Sequence, residues 1–170
     1  MQRLLFLGPE FAQGGEWAEG RSLDWWLLDS PDHRGVGRLV SDLNRLYTET
    51  SALWSLDCAP EGFRWIDAND ASGNVYSFLR FGQDGSTVAC IANFSAVPHE
   101  GYRIGLPRAG RWDEVIRTDA DLYFGSGVGN LRGVQAVAAP GHAQAAAATL
   151  PGTPLGARCV RVTTAQRQPP

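Results

Sequence analysis

Residues 63–82 read FRWIDANDASGNVYSFLRFG, and the period of this stretch decides the fold. Two runs, 63–68 and 74–82, alternate apolar and polar side chains in the two-residue period of a half-buried strand. Between them lies Asn-Asp-Ala-Ser-Gly at 69–73, whose residue types favour a tight turn. The unit reads as an antiparallel hairpin. Downstream the same grammar repeats: STVACIANF (86–94), YRIGL (102–106), WDEVIRT (112–118), QAAAATL (144–150) and LGARCVRV (155–162), punctuated by turn residues at 82–85 and 107–110. Roughly seven or eight short strands with no helix between them predict an antiparallel sandwich or barrel-like β domain over residues 58–165. The alanine-rich stretch 136–150 is expected to include a loop before the penultimate strand, and 166–170 a disordered tail.

Upstream the period changes to 3.6. In SPDHRGVGRLVSDLNRLYTE (30–49), Val36, Leu39, Val40, Leu43 and Leu46 fall on one face of a helix predicted over 31–49. Ser30 is placed to accept from a free backbone N–H as N-cap, and Pro31 has no N–H to lose in the first turn. Residues 4–7, Leu-Leu-Phe-Leu, read as a buried strand, and 8–29 as a loop rich in Gly and Trp. A lone strand, loop and helix form half of a β-α unit, and a parallel strand needs neighbours that this stretch does not supply. The economical reading is that residues 1–57 carry the last strand, the active-site-face loop and the closing helix of an incomplete (β/α)8 barrel.

Composition narrows the partners. In 170 residues, 44% are hydrophobic and 19% charged, the balance of a globular chain. A formal net charge of −3 offers no general attraction to nucleic acid or to an anionic membrane. Cys58, Cys90 and Cys159 lie far apart without a C-x-x-C pair, so neither a disulfide framework nor a zinc site is indicated, and a reducing cytoplasm fits. The apolar run after Arg3 is too short for a signal-peptide core, and no stretch is long enough to span a membrane. His33, His99 and His142 lack metal-ligand spacing and are expected at the surface. GSGVGN at 125–130 lacks the register and flanking elements of a phosphate loop and reads as a turn-rich loop. Asn93-Phe94-Ser95 is a formal glycosylation triplet of little weight without an export signal.

The quoted stretches resemble a known family. LLFLGPEFAQGGEWAEGRSLDWWLLD (4–29) is similar to the end of the catalytic barrel of 1,4-α-glucan (glycogen) branching enzymes, in the α-amylase superfamily. The closing helix, GFRWIDANDASGNVYSFLRFG (62–82) and ANFSAVPHEGYRIGLPRAGRWDEVIRTDADLYFGSGVGN (92–130) are similar to the actinobacterial type of that enzyme. Departures are Leu7, where methionine is usual, and the alanine-rich insert near 143–148. The resemblance implies a mainly β fold: an antiparallel β-sandwich of the α-amylase C-terminal all-β type, preceded by the barrel remnant. It also implies a retaining transfer of α-1,4 glucan segments to 6-hydroxyls, with no cofactor and with α-glucan as partner. That chemistry needs two carboxylates close together across the glycosidic bond. The family's three catalytic carboxylates belong to motifs upstream of the stretch matched here, so the chain is expected to be a C-terminal fragment, inactive without the N-terminal part of the barrel.

Sugar contacts remain open for the loop. Glu10, Gln13, Glu16, Trp17, Asp24 and Trp25 have the groups that bond hydroxyls or stack on pyranose faces. Equally, the carboxylates could cap backbone groups, and the indoles of Trp25 and Trp26 could pack the loop onto a barrel. Trp54, Trp65 and Trp112 are expected in cores. An exposed aromatic among them would be needed to argue a separate glucan platform, which would make the chain a stand-alone binding module; a purely structural brace for the barrel is the third reading.

Overall fold

The computed structural model describes residues 7–16, 18–129, 133–137, 146–149 and 159–165. Its one α-helix among them, α1 (Pro31–Glu49), has the predicted bounds. Eight strands follow: β1 (Phe63–Asp70), β2 (Val75–Phe81), β3 (Thr87–Asn93), β4 (Arg103–Leu106), β5 (Gly110–Arg117), β6 (Gly133–Val137), β7 (Ala146–Thr149) and β8 (Cys159–Ala165). Seven answer to the runs read from the sequence; β6 was missed, inside and just before the alanine-rich stretch. Every pairing is antiparallel, and all strands join one sheet in the order β1-β2-β3-β8-β5-β6-β7-β4. The last strand, β8, stitches β1–β3 to the other half through pairings on both its sides.

The sheet rolls over its own inner face, so that strands from both halves share one core. Val75 and Leu79 of β2, Ala89 and Ile91 of β3, Ile104 and Leu106 of β4, Trp112 of β5, and Val134 and Ala136 of β6 pack together there. Trp112 is 0% exposed, as expected of it, and its indole N–H donates to the Arg108 carbonyl at 3.2 Å. A polar tip inside an apolar core needs such a partner.

Alternation places the next residues on the outer face, against the helix. Val88 of β3, Val162 of β8 and Ile116 of β5 meet Leu39, Leu43 and Leu46 of α1. Ile116 reaches that side through a register shift between Glu114 and Ile116. Without the extra residue, Trp112 and Ile116 would share a face, because side-chain direction has a period of two. The helix is further tied to the short 3₁₀ turn Asp121–Tyr123: the Tyr123 hydroxyl donates to Asp42 Oδ2 at 2.8 Å. Gly35 lets the backbones approach, since a Cβ there would lie 2.5 Å from the Tyr123 carbonyl oxygen.

Several local expectations are corrected. Ser30 is the N-cap residue but makes no side-chain cap bond; its hydroxyl donates to Asp32, whose carboxylate accepts the His33 N–H. Those bonds, the one from Ser30 foremost, hold the Asp32 carboxyl below its ordinary range. His33 and His99 are half-buried rather than at the surface, each bonding a backbone carbonyl, of Phe11 at 2.7 Å and of Gly73 at 2.8 Å. The tail 166–170, His142 and the strand expected at 4–7, except Leu7, lie outside the described residues. Leu7 itself has φ 42°, which is not extended backbone.

Candidate functional site

The loop over residues 7–29 packs on the first half of α1. Gly8, at φ 112°, turns the chain into a 3₁₀ turn, Pro9–Phe11. Such a backbone angle suits a residue without a Cβ. The Glu10 carboxylate folds back to accept the Gly8 N–H at 2.9 Å. Phe11 is buried and stacks on Trp25, ring centroids 5.3 Å apart. The Gln13 side chain spans the loop: its Oε1 accepts the Asp24 N–H at 2.8 Å and its Nε2 donates to the Gly15 carbonyl at 3.2 Å. Arg21 closes the other side, donating to the Glu16 carbonyl at 2.7 Å and lying 3.8 Å from Asp24 Oδ1.

The structure therefore brings Gln13, Glu16, Asp24 and Trp25 into one loop cluster, with Glu10 at its base. Glu10 and Gln13 hold backbone groups, and Asp24 is engaged through both its backbone and its side chain. The Glu16 side chain is exposed, and Trp25 and Trp26 are 57% and 68% exposed. Exposed indoles beside carboxylates offer a flat apolar surface ringed by hydrogen-bond acceptors. Trp17 lies outside the described residues.

A second aromatic surface escaped the sequence reading. Trp65 and Trp54, expected in cores, are 48% and 47% exposed. Trp65 stands opposite Phe78 on the outer face of the β1–β2 hairpin. Phe63 stacks on Phe78 at 5.3 Å, Trp65 sits edge-on to both at 5.0 and 6.0 Å, and Tyr76 links Trp65 to Phe94 at 6.4 and 5.8 Å. The signal was present in F-x-W and Y-x-F, which put large rings on one face while Ile66, Val75 and Leu79 took the other. Both faces of the hairpin carry apolar side chains, but α1 packs on the outer face of the sheet at Val88, Ile116 and Val162, which belong to β3, β5 and β8 and not to the hairpin. Beside Phe63 and Phe78 a hollow of about 310 Å³ holds Arg80 and Asp57, ion-paired at 2.9 Å.

Other candidates resolve into structure. The Asn93 amide of the glycosylation triplet is buried, donating to the Val97 carbonyl and accepting from Ser95. The 125–129 part of the glycine stretch is a loop gathered on Asp119, whose carboxylate accepts the Ser126 N–H and hydroxyl. Tyr102 donates to Asp70 at 2.7 Å, and that bond foremost holds the Asp70 carboxyl below its ordinary range. Among the described residues no group of three or more His, Cys, Asp or Glu could hold a metal, and no helix is long and apolar enough to cross a membrane.

Comparison with known proteins places these surfaces in context. The profile of the alpha amylase C-terminal all-beta domain matches residues 65–162. The 1,4-alpha-glucan branching enzyme GlgB of Mycolicibacterium paratuberculosis is 53% identical over 157 residues, 92% of this chain and 22% of that protein. Its counterpart in Mycobacterium tuberculosis H37Rv is 54% identical with the same coverage, and that of Rhodococcus jostii RHA1 is 55% identical over 151 residues, 86% of this chain and 21% of that protein. The chain thus spans about a fifth of the length of the curated relatives it matches. Among solved structures, the catalytic module of the glycogen-degrading pneumococcal virulence factor SpuA aligns with a TM-score of 0.54 at 14% identity, over 86% of this chain and 20% of that one.

Proposed function

The chain belongs to the alpha-amylase C-terminal all-beta domain family, and from that premise we propose that it forms the C-terminal part of a 1,4-α-glucan branching enzyme. The observation that carries this reading is identity of 53% to one such enzyme over 92% of the chain, a span that must take in residues on both sides of the 57/58 boundary. A match confined to the β domain would speak for an amylase-type accessory domain only. In this reading residues 1–57 contribute the closing loop and helix of a catalytic (β/α)8 barrel, and residues 58–165 form the β domain that braces it.

The division of labour follows from the side chains. Retaining transfer needs two carboxylates about 5–5.5 Å apart, one free to attack and one to carry a proton. Glu10 and Asp24 are occupied, one with the Gly8 N–H and the other with Arg21, so they shape the loop. The barrel supplies the reacting groups, and the loop offers Trp25 and Glu16 to an α-glucan chain at the rim. No cofactor enters the scheme, and the reaction belongs in the cytoplasm, where glucan stores are built.

The test is a branching assay on the purified chain with linear amylose, following loss of iodine colour and the appearance of α-1,6 linkages. The chain alone is expected to produce none. Branch points formed without a barrel would overturn the proposal.

A further inference from the structure

We propose that Gln13 is a positioning residue for the branching reaction: its side-chain amide sets where the loop holds Trp25, and through Trp25 the grip on an α-glucan chain. The inference deepens the branching-enzyme reading, in which the loop offers Trp25 and Glu16 to that chain, and it rests on it.

Gln13 has the residue type of a sugar contact, and its bonds show a different use. Its Oε1 accepts the N–H of Asp24, eleven residues along the chain, at 2.8 Å, and its Nε2 donates to the Gly15 carbonyl at 3.2 Å. Its own backbone N–H donates to the Gly8 carbonyl at 3.1 Å. One planar group thus accepts from one arm of the loop and donates to the other, which a carboxylate cannot do. Two residues earlier, the buried Phe11 stacks on Trp25, ring centroids 5.3 Å and planes 29° apart. The Phe11–Trp25 and Gln13–Asp24 contacts are therefore neighbouring rungs between the same two arms, 11–13 and 24–25. Phe11 backs one face of the indole, and Trp25 stays 57% exposed. Stacked rings slide and tilt readily; the Gln13 bond fixes the backbone that carries this one.

The sequence around Gln13 makes that bond necessary. Gly14 and Gly15 follow it directly, and a side chain at Gly14 would meet open space. Glycine has the widest choice of backbone angles, so the Gln13 bonds and the Arg21 bond to the Glu16 carbonyl carry the shape of this arm. Gly8 makes room for the device: a Cβ there would lie 2.9 Å from Gln13 Cβ. Order imposed before the ligand arrives lowers the cost of binding it.

The experiment has two parts. In the 15N-labelled 170-residue chain, hydrogen exchange of the Asp24 amide is compared between wild type and Gln13→Met, which keeps the shape and removes both side-chain bonds. Exchange should quicken roughly fivefold, the effect of one hydrogen bond; an unchanged rate overturns the tie. The second part uses a chimera that gives the Mycobacterium tuberculosis relative this chain, Gln13 included, in place of its own matching residues. Branching of amylose is measured for the unsubstituted chimera, Gln13→Met, Trp25→Ala and the double variant. Gln13→Met should raise KM roughly fivefold with kcat nearly unchanged, because binding shared by ground and transition state is lost. It should add little to Trp25→Ala, since residues that act through one another are not additive. Full additivity overturns the positioning role and makes Gln13 a separate contact; a fall in kcat alone, or no change in either constant, overturns it as well. Failure of the branching-enzyme reading shows differently: the unsubstituted chimera folds and forms no branch points, while the Asp24 amide still responds to Gln13→Met.

Discussion

Two glycines two residues apart in α1 should respond to alanine with opposite signs. Alanine favours a helix interior over glycine by about 0.8–1 kcal/mol. At Gly37 a new Cβ meets nothing closer than the Glu10 carbonyl oxygen at 3.8 Å, an ordinary contact, so Gly37→Ala should keep that gain. At Gly35 the Cβ would lie 2.5 Å from the Tyr123 carbonyl oxygen and 2.6 Å from its carbon. Backbone cannot rotate away as a side-chain tip can. Relief requires the 121–124 turn and the helix to separate, which adds an overpacking cost of about 1–3 kcal/mol and weakens the Tyr123–Asp42 bond, worth about 1 kcal/mol. Net of propensity, Gly35→Ala should cost about 1–3 kcal/mol. With a urea slope of about 2 kcal/mol/M, the two midpoints should move apart by roughly 1–2 M, Gly37→Ala upward and Gly35→Ala downward. Urea unfolding followed by far-UV circular dichroism reads both. If Gly35→Ala stabilises as much as Gly37→Ala, α1 is not docked on the β domain and the packing described for the outer face is wrong.

Burial, and then the bond to Asp42, push the Tyr123 hydroxyl up to about 12, above its ordinary value. Its stabilising bond is therefore fully present below the unfolded value of about 10 and is lost as pH rises through the folded one. Tyr123→Phe should cost about 1–2 kcal/mol at neutral pH in urea unfolding, a difference that closes at the alkaline end of that window; a constant difference would contradict the bond. Trp112→Ala should cost about 3–5 kcal/mol and abolish the sharp near-UV signal of the core, whereas Trp65→Ala, at a half-exposed site, should leave the thermal midpoint within a few degrees. Burial pushes the Cys90 thiol up to about 12, so in a Cys159→Ser background an aromatic disulfide reagent should titrate the exposed Cys58 quickly and the half-buried Cys90 far more slowly. Two equally fast thiols would show that the outer face under α1 is open.

Much of this architecture is legible in the residues. The bounds of α1 follow from Val36, Leu39, Val40, Leu43 and Leu46, because one apolar stripe at the helical period admits no other element. Strands β1 to β3 follow from alternation that turn residues interrupt cleanly. The strand β6 was not legible: Gly133–Val137 starts on a glycine and runs into the alanine-rich stretch, where small residues mark neither a strand nor a face. Ile116 could not be placed, since the register shift that turns it toward α1 leaves no mark in composition. Trp65 misled for a different reason. Alternation states which residues share a face, and it does not state whether a neighbour covers that face; Trp65 was expected in a core as a large apolar ring, and the fold leaves it half-exposed. In the loop, the residue types of Glu10, Gln13 and Asp24 suited either sugar or backbone, and only the fold shows the Gly8 and Asp24 N–H groups they hold or present.

The most direct measurement replaces the matching 157 residues of the Mycobacterium tuberculosis relative, 54% identical, with those of this chain and assays the chimera for α-1,6 linkages on amylose. If the chain is the C-terminal part of a branching enzyme, the folded chimera branches amylose at a rate comparable with the parent. A chimera that matches the parent in circular dichroism and thermal unfolding yet forms no branch points would contradict it.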